Sequence, residues 1–140
     1  MSQWKDLAMT SHYQTAIAIK NELASNHIES AQSGIEELIE ALSRADKRAL
    51  KSQITRLIMH IIKWKTQPEK RTPSWVYSIE SARMEIQDLL ADEPSLKSYL
   101  ETLPDELFAK AKKLAEAEMN VKSDIANITE VELFEMEYKL

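Results

Sequence analysis

Cysteine is absent from this chain of 140 residues. Neither a disulfide nor a thiolate metal site can form, and the absence fits a reducing compartment. Glycine occurs once, at Gly34, and proline four times. Tight hairpin turns draw on residues that accept positive φ, so this scarcity argues against a turn-rich sheet, whereas helices joined by short polar links need none. A single glycine also excludes a glycine-rich phosphate loop, and no zincin motif or nucleophile elbow occurs. His12, His27 and His60 are the only imidazoles, and no His-x3-His or Glu-x2-His pair is present. Metal-ligand spacing is therefore missing and no cofactor is implied. Charge breaks every apolar stretch within a few residues, so no segment is expected to span a membrane. Met1 to Asp6 lack the apolar run of a secretory leader, and the cytoplasm is the expected compartment.

The residues present point to helices. Hydrophobic content is 44 % and charged content 29 %, ordinary for a soluble globular chain and too apolar for disorder. The length fits one domain with one core. Residues 11–25 carry Tyr13, Ala16, Ile17, Leu23 and Ala24 at helical spacing. After a polar link at 26–30, Gly34 marks a helix start or bend. Ile35, Leu38, Ile39 and Leu42 then follow at i, i+3, i+4 and i+7 as an amphipathic face. Ser43-Arg44-Ala45-Asp46 reads as a capping-box variant opening the strongest helix, about 45–66, with Leu50, Ile54, Leu57, Ile58, Ile61 and Trp64 in one stripe. Gln67-Pro68 ends it, and Thr72-Pro73 caps the next helix, which uses Trp75, Ile79, Ala82 and Ile86. Glu93-Pro94 closes that one, a short turn holds Leu96 and Tyr99, and Pro104 opens another helix ending near Asn120. Thr129-Glu130-Val131-Glu132 is a second capping box. The expectation is an all-α, single-domain bundle of five to six helices over residues 1–140. Residues 1–10 are taken as a tail, and the acidic segment 121–140 as a peripheral piece that docks on the basic helix or on a partner.

Charge is unevenly distributed. Residues 44–71 hold nine of the eighteen Lys and Arg residues against Asp46 and Glu69, a local +7 in a chain of net charge −5. Arg48, Ser52, Arg56, Met59 and Lys63 are expected to form a solvent-facing row that Lys70 and Arg71 extend. Such a row suits phosphates or an acidic partner. Alternatively it is a solvated face answered internally by the acidic helices. Trp64 and Trp75 bracket Pro68 and Pro73, either as an aromatic ledge or as a pinned helix–loop–helix corner. His60 lies at the edge of the apolar stripe, one turn after Arg56. It is read as a core-edge histidine first, and as a proton-transfer group second. Some compact all-α ribonucleases pair an arginine with a histidine in this way. The Arg-x3-His spacing here is one residue short of theirs, and the analogy would make Arg56 and His60 a metal-independent catalytic pair.

A resemblance completes the reading. Leu42-Ser43-Arg44, Lys47-Arg48-Ala49-Leu50, Met59-His60-Ile61-Ile62-Lys63-Trp64, Gln67-Pro68, Ser74-Trp75, Ile79, Arg83 and Pro94-Ser95-Leu96 together resemble the domain of unknown function 29 family. The resemblance covers roughly residues 11–138 and implies a small all-helical protein of a kind abundant in cyanobacteria, with no established activity. Where that family starts its first helix with a Phe-Tyr-x-Trp-like run, His12-Tyr13-Gln14-Thr15 keeps only the tyrosine. The expected role is a non-enzymatic interaction or regulatory module. Its partner is a protein or a second copy, bound through Arg48, Arg56, Lys63, Lys70, Arg71, Trp64 and Trp75. Nucleic-acid binding by the same face is the alternative, and no small-molecule substrate is implied.

Overall fold

Every regular element among the described residues is a helix. A computed structural model describes residues 2–140. They form α1 (Ser2–Thr10), α2 (His12–Ala24), α3 (Ile28–Thr66), α4 (Pro73–Asp92), α5 (Leu96–Glu101), α6 (Asp105–Met119) and α7 (Glu130–Phe134), with one 3-10 turn at Pro68–Lys70. The all-α expectation holds, but the helices number seven rather than five or six. None is long and apolar enough to cross a membrane.

Two corrections change the layout. The expected N-terminal tail is α1, which buries Trp4 and Ala8, one helical turn apart. Its apolar residues Trp4, Leu7 and Ala8 follow the i, i+3, i+4 pattern. The expected break at Ser43–Asp46 does not occur, because α3 runs unbroken for 39 residues. Ser43 and Asp46 lie within the helix, and Arg44 reaches back one turn to Glu40, Nη1 to Oε1 3.2 Å. A serine and an aspartate favour a cap, yet they are tolerated inside a helix when flanking residues propagate it.

The chain resolves into two compact units, the first reaching to Lys47 and the second running from Arg48 to Leu140. Two hydrophobic clusters therefore stand where one core was expected. In the first unit, Trp4, Ile19 and Ala31 are buried, with Leu7, Ala18 and Leu38 against them. Ser11 caps α2 by accepting from the Gln14 N–H at 3.0 Å, and Asn26 turns the chain toward α3 at φ 62°. Gly34 does not start a helix but lies inside α3. A Cβ there would lie 2.8 Å from Ile19 Cγ1 and 2.9 Å from Trp4 Cζ3, so the glycine permits close approach of three helices.

In the second unit the expected stripe of α3 is the core: Leu50, Ile54, Leu57, Ile58, Ile61 and Trp64 pack with Ile79, Ala82 and Ile86 of α4 and with Leu107, Ala111 and Ala115 of α6. α3 stops at Gln67-Pro68 as expected. Thr72 caps α4 by accepting from the Trp75 N–H at 3.3 Å, with Pro73 at the first helical position. The capping box at Thr129 and Glu132 is formed in both directions. Segment 121–140, expected to be peripheral, is tied in. Tyr138 is buried edge-on to Trp64, with centroids 5.6 Å apart at 81°. Its hydroxyl donates to the Glu132 carbonyl at 2.7 Å. Arg83 clasps the same turn, donating from Nε to the Leu133 carbonyl at 2.7 Å and from Nη2 to the Glu132 carbonyl at 3.1 Å.

Candidate functional site

In the second unit, the cations singled out by the sequence are largely spent inside the molecule. Lys63, expected in the solvent-facing row, is 5 % exposed, and its Nζ lies 2.6 Å from Glu118 Oε1 and 4.8 Å from the Trp75 ring centroid. Desolvating an ammonium is costly, and both the carboxylate and the aromatic face offset that cost. The Lys63 hydrogen bond in turn holds the Glu118 carboxyl below the ordinary glutamate range. Lys65 bonds Glu132 at 2.5 Å, and that bond, with the Thr129 backbone N–H next, lowers the Glu132 carboxyl. Arg71 donates from Nε to the Trp64 carbonyl at 2.9 Å and lays its guanidinium 4.4 Å from the Trp64 ring centroid. Trp64 and Trp75 thus pin the corner after α3 rather than form a ledge in solvent. Arg48, Lys51 and Lys70 are exposed and have no side-chain partner among the described residues.

His60 and Arg56 are brought together, but each is occupied. Nδ1 of His60 lies 2.9 Å from the Arg56 carbonyl. A carbonyl only accepts, so Nδ1 carries the hydrogen and Nε2 keeps its lone pair in the neutral ring. Burial lowers the His60 pKa, and the Lys63 charge adds to this, so the ring is neutral at physiological pH. The Arg56 guanidinium donates from Nη1 to Gln53 Oε1 at 3.1 Å and from Nη2 to Ser81 Oγ, both within this unit. The pair offers a neutral base beside a cation, with the cation anchored between α3 and α4. A cleft of about 510 Å³ at the end of α3 is lined by Lys65, Thr66, Lys122, Ser123, Asp124 and Ile125. Lys65 is already engaged there and Asp124 opposes Lys122, so it gathers little net positive charge. No group of three or more His, Asp or Glu residues able to hold a metal ion occurs among the described residues.

The first unit presents a different kind of surface. The amphipathic face expected from Ile35, Leu38, Ile39 and Leu42 is split: Leu38 packs against the buried cluster, while Ile28, from the expected polar link, is 49 % exposed, Ile35 40 %, Ile39 62 % and Leu42 41 %. At about 100° per residue these four fall within roughly 60° of arc. The inward line of the same helix is Ala31, Gly34 and Ala41, buried, with Leu38 partly so, offset to one side. Small residues let α3 pack closely on that side, which turns the large aliphatic side chains outward. Met9, Tyr13 and Leu23 are exposed as well, so among the described residues seven of the fourteen large exposed apolar residues belong to this unit, about a third of the chain. Concentration of this kind, rather than exposure of single residues, marks interaction surfaces.

The family described as Domain of unknown function DUF29 matches residues 10–138, nearly the whole chain. No curated protein and no solved structure matches it.

Proposed function

The chain belongs to the DUF29 family, and for it we propose a role as a non-enzymatic, cytoplasmic helical interaction module that binds a protein partner. Its working surface is the uncovered face of α3 in the first unit, Ile28, Ile35, Ile39 and Leu42. The observation that carries this reading is the exposure of those four side chains on a unit whose buried cluster is small, Trp4, Ile19 and Ala31 with Leu7, Ala18 and Leu38 partly buried against it. A unit so small buries little apolar area for its surface, and a partner laid on the stripe would add what it lacks. The surface expected from the sequence, residues 44–75, contributes less, since Lys63, Lys65, Arg56, Arg71 and both tryptophans have internal partners.

The test is capture from the native host by the tagged chain and by the variant Ile35→Asp/Ile39→Asp. Both substitutions are at exposed positions, so the variant should keep its helical signal and lose the partner bands. Equal capture by a folded variant would sink this surface. Nucleic-acid binding is the second reading, favoured by the three cations Arg48, Lys51 and Lys70 without internal partners. It calls for affinity that falls with salt by about one power of concentration per phosphate contact, and a flat salt response would exclude it.

A further inference from the structure

Beyond the class of partner, the rim of the α3 face names its chemistry. Residues 28–43 contain four glutamates and no lysine, arginine or histidine. On the helical wheel, the flank of the Ile28–Ile35–Ile39–Leu42 face opposite the buried line carries Gln32, Ser43, Glu36, Glu29 and Glu40 in turn, all exposed. Glu40 answers Arg44 at the surface, while Glu29 and Glu36 have no cation among the described residues. One flank of the apolar face is therefore acidic, with Glu36, Glu29 and Glu40 just beyond Gln32 and Ser43.

Charge decides between the occupants. A second copy laid antiparallel over the stripe and centred on Ile35 would match Ile28 with Leu42. It would also bring the two acidic flanks together, six carboxylates from Glu29, Glu36 and Glu40 of each copy, of which only Glu40 has a cation of its own, Arg44. Like charges so placed oppose association. A polyanion is repelled for the same reason. We propose that the occupant is a basic amphipathic helix from another protein. Its apolar residues at i, i+3 or i+4 and i+7 would fill the Ile28–Leu42 face, and lysines or arginines beside them would meet Glu36 and Glu29. This inference rests on the interaction reading above and adds the sign of the partner's charge.

The experiment titrates two synthetic amphipathic peptides into the full-length chain, identical in their leucine face and carrying either lysines or glutamates on the flank. Amide shifts and heats of binding are followed, with sedimentation run in parallel. The lysine peptide should bind, shift the amides of residues 28–43, and bind at least tenfold tighter than the glutamate peptide. Ile39→Asp should lose that binding, and Glu36→Lys/Glu29→Lys should reverse the preference. Equal affinity for the two peptides would overturn the charge argument. Silence from both, or a dimer by sedimentation that Ile39→Asp dissolves, would overturn the proposed occupant. Loss of host capture by the Ile35→Asp/Ile39→Asp variant alongside such silence would leave the interaction reading standing and remove this inference alone.

Discussion

Lys63 of α3 and Glu118 of α6 are 55 positions apart in the chain and 2.6 Å apart in space, with the lysine nearly buried and the glutamate half in solvent. The contact converts a residue that the helical wheel placed in a binding row into a structural cation. Charge reversal at Lys63 would therefore damage the fold rather than test partner binding.

Glu118→Gln should lower stability by about 1–2 kcal/mol in chemical denaturation. That is less than the cost of orphaning a fully buried charge, because Glu118 is partly hydrated. Lys63→Met, which removes the cation and keeps its volume, should cost less than Glu118→Gln. The opposite order would show that the pair itself stabilises the fold.

Acid should weaken the second unit in two stages. His60 has its folded pKa lowered by burial, so the unfolded chain binds the extra proton first. Its contribution is complete above the unfolded histidine value, about 6.5, and declines as pH falls from there toward the lower folded value. Glu118 and Glu132 are also lowered, by Lys63 and Lys65. Their contribution is present above the unfolded glutamate value, about 4.3, and is lost as pH falls through the folded values. A melting temperature recorded between pH 8 and pH 3 should fall in that order, and His60→Gln should flatten the upper stage alone.

Much of this fold was legible because its signals are local. Gln67-Pro68, Thr72-Pro73 and Thr129–Glu132 each set a helix end through one or two neighbouring residues, and each end lies where the sequence put it. Leu50 to Trp64 also declared their shared face by period alone. Periodicity assigns residues to a face, but it does not say what covers the face. Hence the amphipathic face Ile35, Leu38, Ile39 and Leu42 is legible but its split is not: only Leu38 packs on the buried cluster, and the buried Ala31, Gly34 and Ala41 are too small to register as a stripe. Lys63 was misplaced for the same reason, since Glu118 and Trp75 come from other helices.

Gly34→Ala should destabilise the chain even though alanine is the better helix former. The gain of up to about 1 kcal/mol in propensity is outweighed by a Cβ set against Trp4 and Ile19, where overpacking costs about 1–3 kcal/mol. Thermal denaturation of the two proteins checks the sign.

Tyr138 should ionise above the ordinary phenol range. Burial, with the Glu132 charge adding to it, pushes its pKa up to about 12. Its folded value lies above the unfolded one, so its contribution is full below about pH 10 and fades as pH rises toward 12. Tyr138→Phe should remove the highest step from an ultraviolet titration and cost about 1 kcal/mol through the lost bond to the Glu132 carbonyl.

The most direct measurement is hydroxyl-radical footprinting of Ile28, Ile35, Ile39 and Leu42, in the purified chain and in the chain captured with its host partner. An interaction face predicts strong labelling of all four in the free protein and protection of all four in the complex, with Leu50 and Ile61 silent in both. Protection already complete in the free chain, or labelling unchanged in the complex, would contradict it.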